Sequence, residues 1–158
     1  MGKNMILNWV AYDTYCYKLL QKVKQSGIKY DSIIAIMRGG YSIGLYLSNF
    51  LKIPLLAIQA QNHKYNEPER GEKGNTIVLG EIYGFGNVGK NVLLVDDICD
   101  SGDTISRVTN YLKEKKIVVD AAVMVMRFNY SSVKYWSLII ENNDWVVFPY
   151  EPSPEEVL

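Results

Sequence analysis

The stretch "VLLVDDICDSGDT", Val92–Thr104, begins as a strand and ends as a binding loop. Val92–Val95 is apolar at every position, as a strand covered on both faces requires. The run then meets Asp96 and Asp97, and soon after Asp100, Ser101, Gly102, Asp103 and Thr104. So many carboxylates and small polar groups cannot be buried in a sheet without partners. They belong at the strand's carboxyl end. Beyond them "TISRVTNYLKEK" has the apolar spacing of an amphipathic helix, so the unit is strand, loop, helix.

The rest of the chain repeats this alternation. Asn8 precedes a helix with the stripe Trp9, Tyr12, Cys16, Leu19, Leu20 and Val23, stopped by Ser26–Gly27. "SIIAIM" (Ser32–Met37) is a buried strand with "RGG" directly after it. "YSIGLYLSNFLK" is helical despite Gly44, with Leu45, Leu47, Phe50 and Leu51 available for packing. "IPLLAIQA" is a second strand. "TIVLGEIY" and "NVLLV" are strands joined by "GFGNVGK", as a hairpin or as neighbours. "VVDAAVMVMR" is a long buried strand ending at Arg127, and the aromatic-rich remainder holds one or two short strands. Strands alternating with helices predict an α/β domain around a mainly parallel sheet.

Gln61–Asn75, "QNHKYNEPERGEKGN", is polar and turn-prone. A stretch of this length without regular structure points to a mobile functional loop. It carries Lys64, Arg70 and Lys73, and also His63, the only histidine.

Composition narrows the partners. The chain has 158 residues, 48% hydrophobic and 22% charged, which fits one globular domain, 1–158. Seventeen basic residues balance 17 acidic ones, so no net field favours nucleic acid or an anionic membrane. Cys16 and Cys99 match no metal or redox spacing and read as reduced thiols. No signal peptide or membrane span is legible, and a cytoplasmic location is expected.

The loop's chemistry follows from its residue types. Ligands of open α/β sheets bind outside the carboxyl ends of the strands. A helix starting near Thr104 offers free N–H groups and its positive dipole end to a phosphate, and Gly102 admits that phosphate close to the backbone. Paired acids accept hydrogen bonds from vicinal hydroxyls, and an oxygen-bound Mg²⁺ would offset remaining charge. A phosphorylated sugar satisfies all three. No D-x-D-x-D-G calcium loop, D-x-D phosphatase nucleophile or G-x-x-x-x-G-K-[ST] P-loop is present.

"VLLVDDICDSGDT" resembles the phosphoribosyl-pyrophosphate (PRPP) signature of the type I phosphoribosyltransferases over all thirteen residues. The resemblance implies their fold, a mainly parallel sheet flanked by helices with a small C-terminal hood. The core would span about 1–127, the hood about 128–151 and the flexible loop about 61–75. It implies that Asp96 and Asp97 hold the ribose hydroxyls, with Asp97 linked to Mg²⁺. Asp100, Ser101, Gly102, Asp103 and Thr104 would form the 5′-phosphate loop, with Asp100 also the catalytic group beside the incoming base. "MRGG" (Met37–Gly40) is similar to the family's pyrophosphate loop, giving Arg38 and Gly39 that role. The loop 61–75 would close over the site with its cations on the phosphates.

"NDWVVFPYE" (Asn143–Glu151) resembles the W-[IV]-x-x-P-[WY]-[DE] ending of xanthine–guanine phosphoribosyltransferases and their archaeal relatives. That implies a purine framed by Trp145 and Val146. A Lys usually ends the preceding long strand in that branch and donates to the purine 6-oxo group. Here the position holds Arg127, also a donor but a larger planar fork. The expected activity is transfer of 5-phosphoribosyl from PRPP to a 6-oxopurine (hypoxanthine, guanine or xanthine), in a homodimer or homotetramer. The alternatives are a non-catalytic PRPP sensor of the same fold, or a phosphoribosyltransferase with another base.

Overall fold

The computed structural model describes residues 4–62, 77–84, 86–128, 130–141 and 144–152. In chain order these form β1 (Asn4–Ile6), α1 (Trp9–Gln25), β2 (Ser32–Met37), α2 (Gly40–Leu51) and β3 (Leu55–Asn62). Next come β4 (Ile77–Gly84), β5 (Asn91–Cys99), α3 (Asp103–Glu114), β6 (Val118–Arg127), β7 (Tyr135–Ile140) and β8 (Trp145–Val147). Six strands make one sheet in the order β4-β3-β2-β5-β6-β7. All its pairs are parallel except β3 with β4. This is the expected α/β class.

The sheet takes this form because its central strands are apolar on both faces. Strand alternation sends Ile33, Leu93 and Met124 to the side of α1 and α2, where Cys16, Leu19, Leu20, Ile43 and Leu47 meet them. The same alternation sends Ile34, Leu94 and Val123 to α3, against Ile105, Val108 and Leu112. Ile33, Ile34, Leu93 and Leu94 have no exposed surface. Each such side chain contributes about 1.5–3 kcal/mol relative to exposure, so these layers hold the strand ends rigidly.

Local signals explain the helices. The Asn8 side chain accepts from Ala11 N at 2.8 Å and caps α1. The predicted stripe is buried from Tyr12 to Val23, but Trp9, the first residue of the helix, is 60% exposed. In α2 the buried stripe is Gly40, Ile43, Gly44 and Leu47, a spacing of three and four residues. Leu45 and Phe50, expected to pack, fall off that stripe and are exposed. Gly44 sits there because a Cβ would lie 2.9 Å from that of Ala35.

The β4–β5 connection is neither a hairpin nor a neighbouring pair. β4 lies at the sheet's edge, antiparallel to β3, whereas β5 is central between β2 and β6. A strand as apolar as "NVLLV" needs cover on both faces and neighbours on both sides, which the edge cannot give.

The span assigned to the hood also divides differently. Tyr135–Ile140 is the far edge of the main sheet, parallel to β6. β8 forms a separate two-stranded sheet with β1, a strand not foreseen, in the register Asn4↔Trp145, Met5↔Val146, Ile6↔Val147. Leu7 N extends the ladder to Val147 O at 2.9 Å. The hood is therefore built from both ends of the described chain. Among the described residues no helix is long and apolar enough to cross a membrane. The loop cations Lys64, Arg70 and Lys73, and His63, lie outside the described residues.

Candidate active site

The carboxyl ends of β2 and β5 bring the two sequence motifs together. β2 ends at Met37, and a cis peptide joins Met37 to Arg38. Gly39 follows with ordinary helical dihedrals, so its glycine is required by space rather than by conformation. A Cβ at Gly39 would coincide with the Asp97 carboxylate, and one at Gly40 would lie 2.5 Å from Val95 O. The "RGG" turn is thus cut to let the acidic end of β5 lie against it.

The two acids differ sharply. Asp96 is buried, and its Oδ1 accepts from Asp97 N at 2.9 Å. Burial, and then the charge of Asp97, push the Asp96 carboxyl well above the usual carboxylate range. Asp97 Oδ1 accepts from Ile98 N at 2.7 Å, and Oδ2 accepts from the Tyr150 hydroxyl at 2.6 Å. Cys99 behind them is inert: burial pushes its thiol up to about 11.

Downstream the chain turns at Gly102, whose φ of 81° suits glycine, and enters α3 at Asp103. Ser101 Oγ donates to Asp103 Oδ2 at 2.8 Å and accepts from Asp103 N at 3.3 Å. Asp103 is exposed, and both bonds engage Ser101 Oγ with it. Residues 96–105, with Arg38, Gly39 and Ala60, line a hollow of about 310 Å³. It gathers Asp96, Asp97, Asp100, Ser101, Gly102, Asp103 and Thr104 in one place.

A larger cleft of about 1000 Å³ adjoins it, sharing Arg38, Gly39 and Asp97. Its other wall is the hood, with Asn4, Trp145, Val147 and Tyr150, joined by Trp9 at the start of α1. Trp145 is 66% exposed, as a side chain open to the cleft should be. Val146, expected to frame the base with it, is instead buried in the core. Strand alternation turns Val146 away and presents Val147, so the aliphatic wall is one residue later.

Arg127 also departs from expectation. Its Nε lies 2.6 Å from Asp100 Oδ1, and its Nη2 donates to Asp144 O at 2.9 Å. Only 9% of Arg127 is exposed, and the guanidinium ties the loop after β5 to the segment entering β8. The long fork permits both bonds at once, which a Lys ammonium at the same place would not.

Sequence reasoning missed Trp9, Val147, Ser42 and Tyr150. The periodicity places Trp9 in the core stripe, and Tyr150 lies inside the quoted ending, where the sequence gives it no role. Tyr150 stacks on Phe148 at 5.4 Å and meets Tyr12 edge-on at 6.0 Å. The Tyr12 hydroxyl in turn pairs with Ser42 Oγ. Burial first, and then the charge of Asp97, raise the Tyr150 phenol above its ordinary range, so it is a proton donor to the carboxylate.

The donor set suits Mg²⁺ only as part of a complex. Among the described residues no group of three or more His, Cys, Asp or Glu could grip an ion unaided. Asp97, a carboxylate shared by the hollow and the cleft, fits an ion that keeps its waters and takes its other oxygens from a phosphate ligand.

This constellation has known counterparts. The phosphoribosyl transferase domain family matches residues 3–156, and the chain belongs to it. A purine phosphoribosyltransferase from Pyrococcus horikoshii Ot3 superposes with a TM-score of 0.78 at 30% identity, covering 98% of this chain and 97% of that one. The xanthine-guanine phosphoribosyltransferase of Vibrio parahaemolyticus is 26% identical over 97% of this chain and 92% of its own length. A hypoxanthine/guanine phosphoribosyltransferase from Methanocella paludicola is 28% identical over 66% of this chain and 55% of its own. Within the type I phosphoribosyltransferases the chain stands with the enzymes of the 6-oxopurine branch.

Proposed function

We propose that this enzyme transfers the 5-phosphoribosyl group of PRPP to a 6-oxopurine, releasing pyrophosphate. The observation that carries the reading is the convergence of Arg38–Gly39, Asp96–Asp97 and the Asp100–Thr104 loop on one hollow that opens into the hood cleft. In this reading the 5′-phosphate takes the N–H groups at the start of α3 and the hydroxyls of Ser101 and Thr104. The ribose diol meets Asp96 and Asp97, and the diphosphate meets Arg38 and the backbone at Gly39. The purine lies in the cleft between Trp145 and Val147, with Val146 contributing main-chain groups only. Asp100, 69% exposed at its side chain, reaches toward the purine's ring nitrogen and takes or shares its proton.

C1′ loses pyrophosphate and gains the purine nitrogen through a transition state with positive charge on the sugar ring. The chain's part is positioning and charge: the carboxylates beneath the ribose favour that cation, and the hood limits water. Mg²⁺, held by the diphosphate and Asp97, would neutralise the leaving group. The exposed Met37, Tyr41, Leu45 and Tyr83 support a homo-oligomer, since side chains of this kind commonly mark subunit contacts.

Pyrophosphate release from PRPP and Mg²⁺ tests this, with hypoxanthine, guanine, xanthine and adenine supplied separately. Release with an oxo purine and little with adenine is expected. Release with adenine alone keeps the reaction and overturns the base. Bound PRPP with no release from any base makes the protein a sensor.

A further inference from the structure

We infer that Tyr150 is a positioning residue for PRPP: its phenol fixes the Asp97 carboxylate in the orientation that receives the ribose. This rests on the function proposed above and assigns a role to a hood residue that makes no chemistry of its own. The hydroxyl donates to Asp97 Oδ2 at 2.6 Å, bridging from the hood to the floor of the cleft across 53 positions of sequence. Three features make this a built contact. Phe148 stacks on the Tyr150 ring at 5.4 Å and 4° between planes, so the phenol's direction is fixed from its own side. Tyr12 meets the ring edge-on at 6.0 Å, and is itself held by Ser42 in α2. Gly39 lacks the Cβ that would occupy the place of the carboxylate.

The carboxylate is then bounded on all sides that matter. Ile98 N holds Oδ1 at 2.7 Å and the phenol holds Oδ2. Each oxygen keeps a lone pair, so a ribose hydroxyl adds to these bonds without displacing them. An Asp97 lacking the phenol keeps the Ile98 N bond on Oδ1 but loses the hold on Oδ2, so more of its alignment must be imposed during binding. The same contact couples the hood to the floor, so the purine cleft and the sugar site share one rigid element.

Tyr150→Phe removes the hydroxyl and retains the ring against Phe148 and Tyr12. Calorimetric binding of PRPP, with Mg²⁺ and again in EDTA, should show roughly tenfold weaker affinity in both, the size of a lost hydrogen bond to a charged group. The KM for PRPP should rise in parallel, with kcat and the thermal midpoint close to the parent's. Unchanged PRPP affinity overturns the inference. Tighter binding also overturns it, making the phenol a competitor of the substrate. A fall in thermal midpoint that fully tracks the loss assigns Tyr150 to folding alone. If the parent protein itself binds no PRPP, the proposed function fails, a result separate from any effect of the variant.

Discussion

Arg127 at the end of β6 holds Asp100 in the loop after β5, Nε to Oδ1 at 2.6 Å, and holds Asp144 O with its other arm. The pair is half open to water on the aspartate side, so its direct stability is small, about 0.2–1 kcal/mol. The bond to the Asp144 carbonyl is better protected. Arg127→Met should lower stability in urea by about 1–2 kcal/mol, because that carbonyl is left with one partner fewer. Turnover should fall further than stability, as Asp100 loses its anchor. Arg127→Lys keeps a cation for Asp100 but not both contacts. A double-mutant cycle of Arg127→Met with Asp100→Asn checks the coupling, and strict additivity in kcat would refute it.

Gly39 and Gly40 are adjacent but should fail differently. The three atoms nearest a Cβ at Gly39 all belong to the Asp97 side chain, which can rotate, rather than to backbone. Gly39→Ala is therefore expected to fold with a near-parental thermal midpoint and to lose PRPP affinity by more than about tenfold, since Asp97 is displaced. A Cβ at Gly40 meets Val95 O at 2.5 Å and Asp96 Cα at 2.9 Å, both backbone. Gly40→Ala should cost about 1–3 kcal/mol of stability, like other overpacked sites. Thermal melts and PRPP calorimetry on both variants separate the two cases. Equal loss of stability in both would remove the special role of Gly39.

Much of this site was legible because it is local in sequence. Strand, acids, small residues and helix start follow one another within Val92–Thr104, and each residue type states its own chemistry. What was not legible depends on which distant segments meet. β1 is three residues long, too short for any periodicity, and exists because β8 offers it a ladder. The face of Val146 could not be read without knowing that Met5 and Leu7 anchor that strand to the core. Arg127 matched a donor position in sequence, but its ion pair with Asp100 required the two strand ends to be adjacent. Tyr150 and Asp97 are likewise joined only by folding.

The hood's two-sided strand gives a sharp contrast between neighbours. Trp145 is 66% exposed to the cleft, and Val146 is 5% exposed on the opposite face. Trp145→Ala should change stability within about 0.5 kcal/mol, as exposed positions do, while raising KM for the purine. Val146→Ala should do the reverse, costing about 1–2 kcal/mol through lost core contact with little change in base KM. Steady-state kinetics with urea melts on both variants checks this. A base KM that responds to Val146 and not to Trp145 would put the purine on the other face.

Asp96 links the ligand site to pH. Its carboxyl is raised first by burial and then by the Asp97 charge, so the folded protein keeps this proton at pH values where the unfolded chain has lost it. In that window the unfolded state binds fewer protons, and stability falls as pH rises from about 4, the ordinary carboxyl value, to the raised one. Above the raised value the full penalty remains. Asp96→Asn has no proton to lose there, so its stability should not carry this decline. Urea midpoints in Mg²⁺-free buffer should coincide most closely near the ordinary carboxyl pH and diverge upward, with the Asn variant the more stable at neutral pH. PRPP affinity should move the opposite way, since a neutral amide accepts a ribose hydroxyl less strongly than a carboxylate. Parallel midpoint curves would mean that Asp96 titrates as it does in the unfolded chain. A stability gain bought with lost affinity is the mark of a group kept for its ligand.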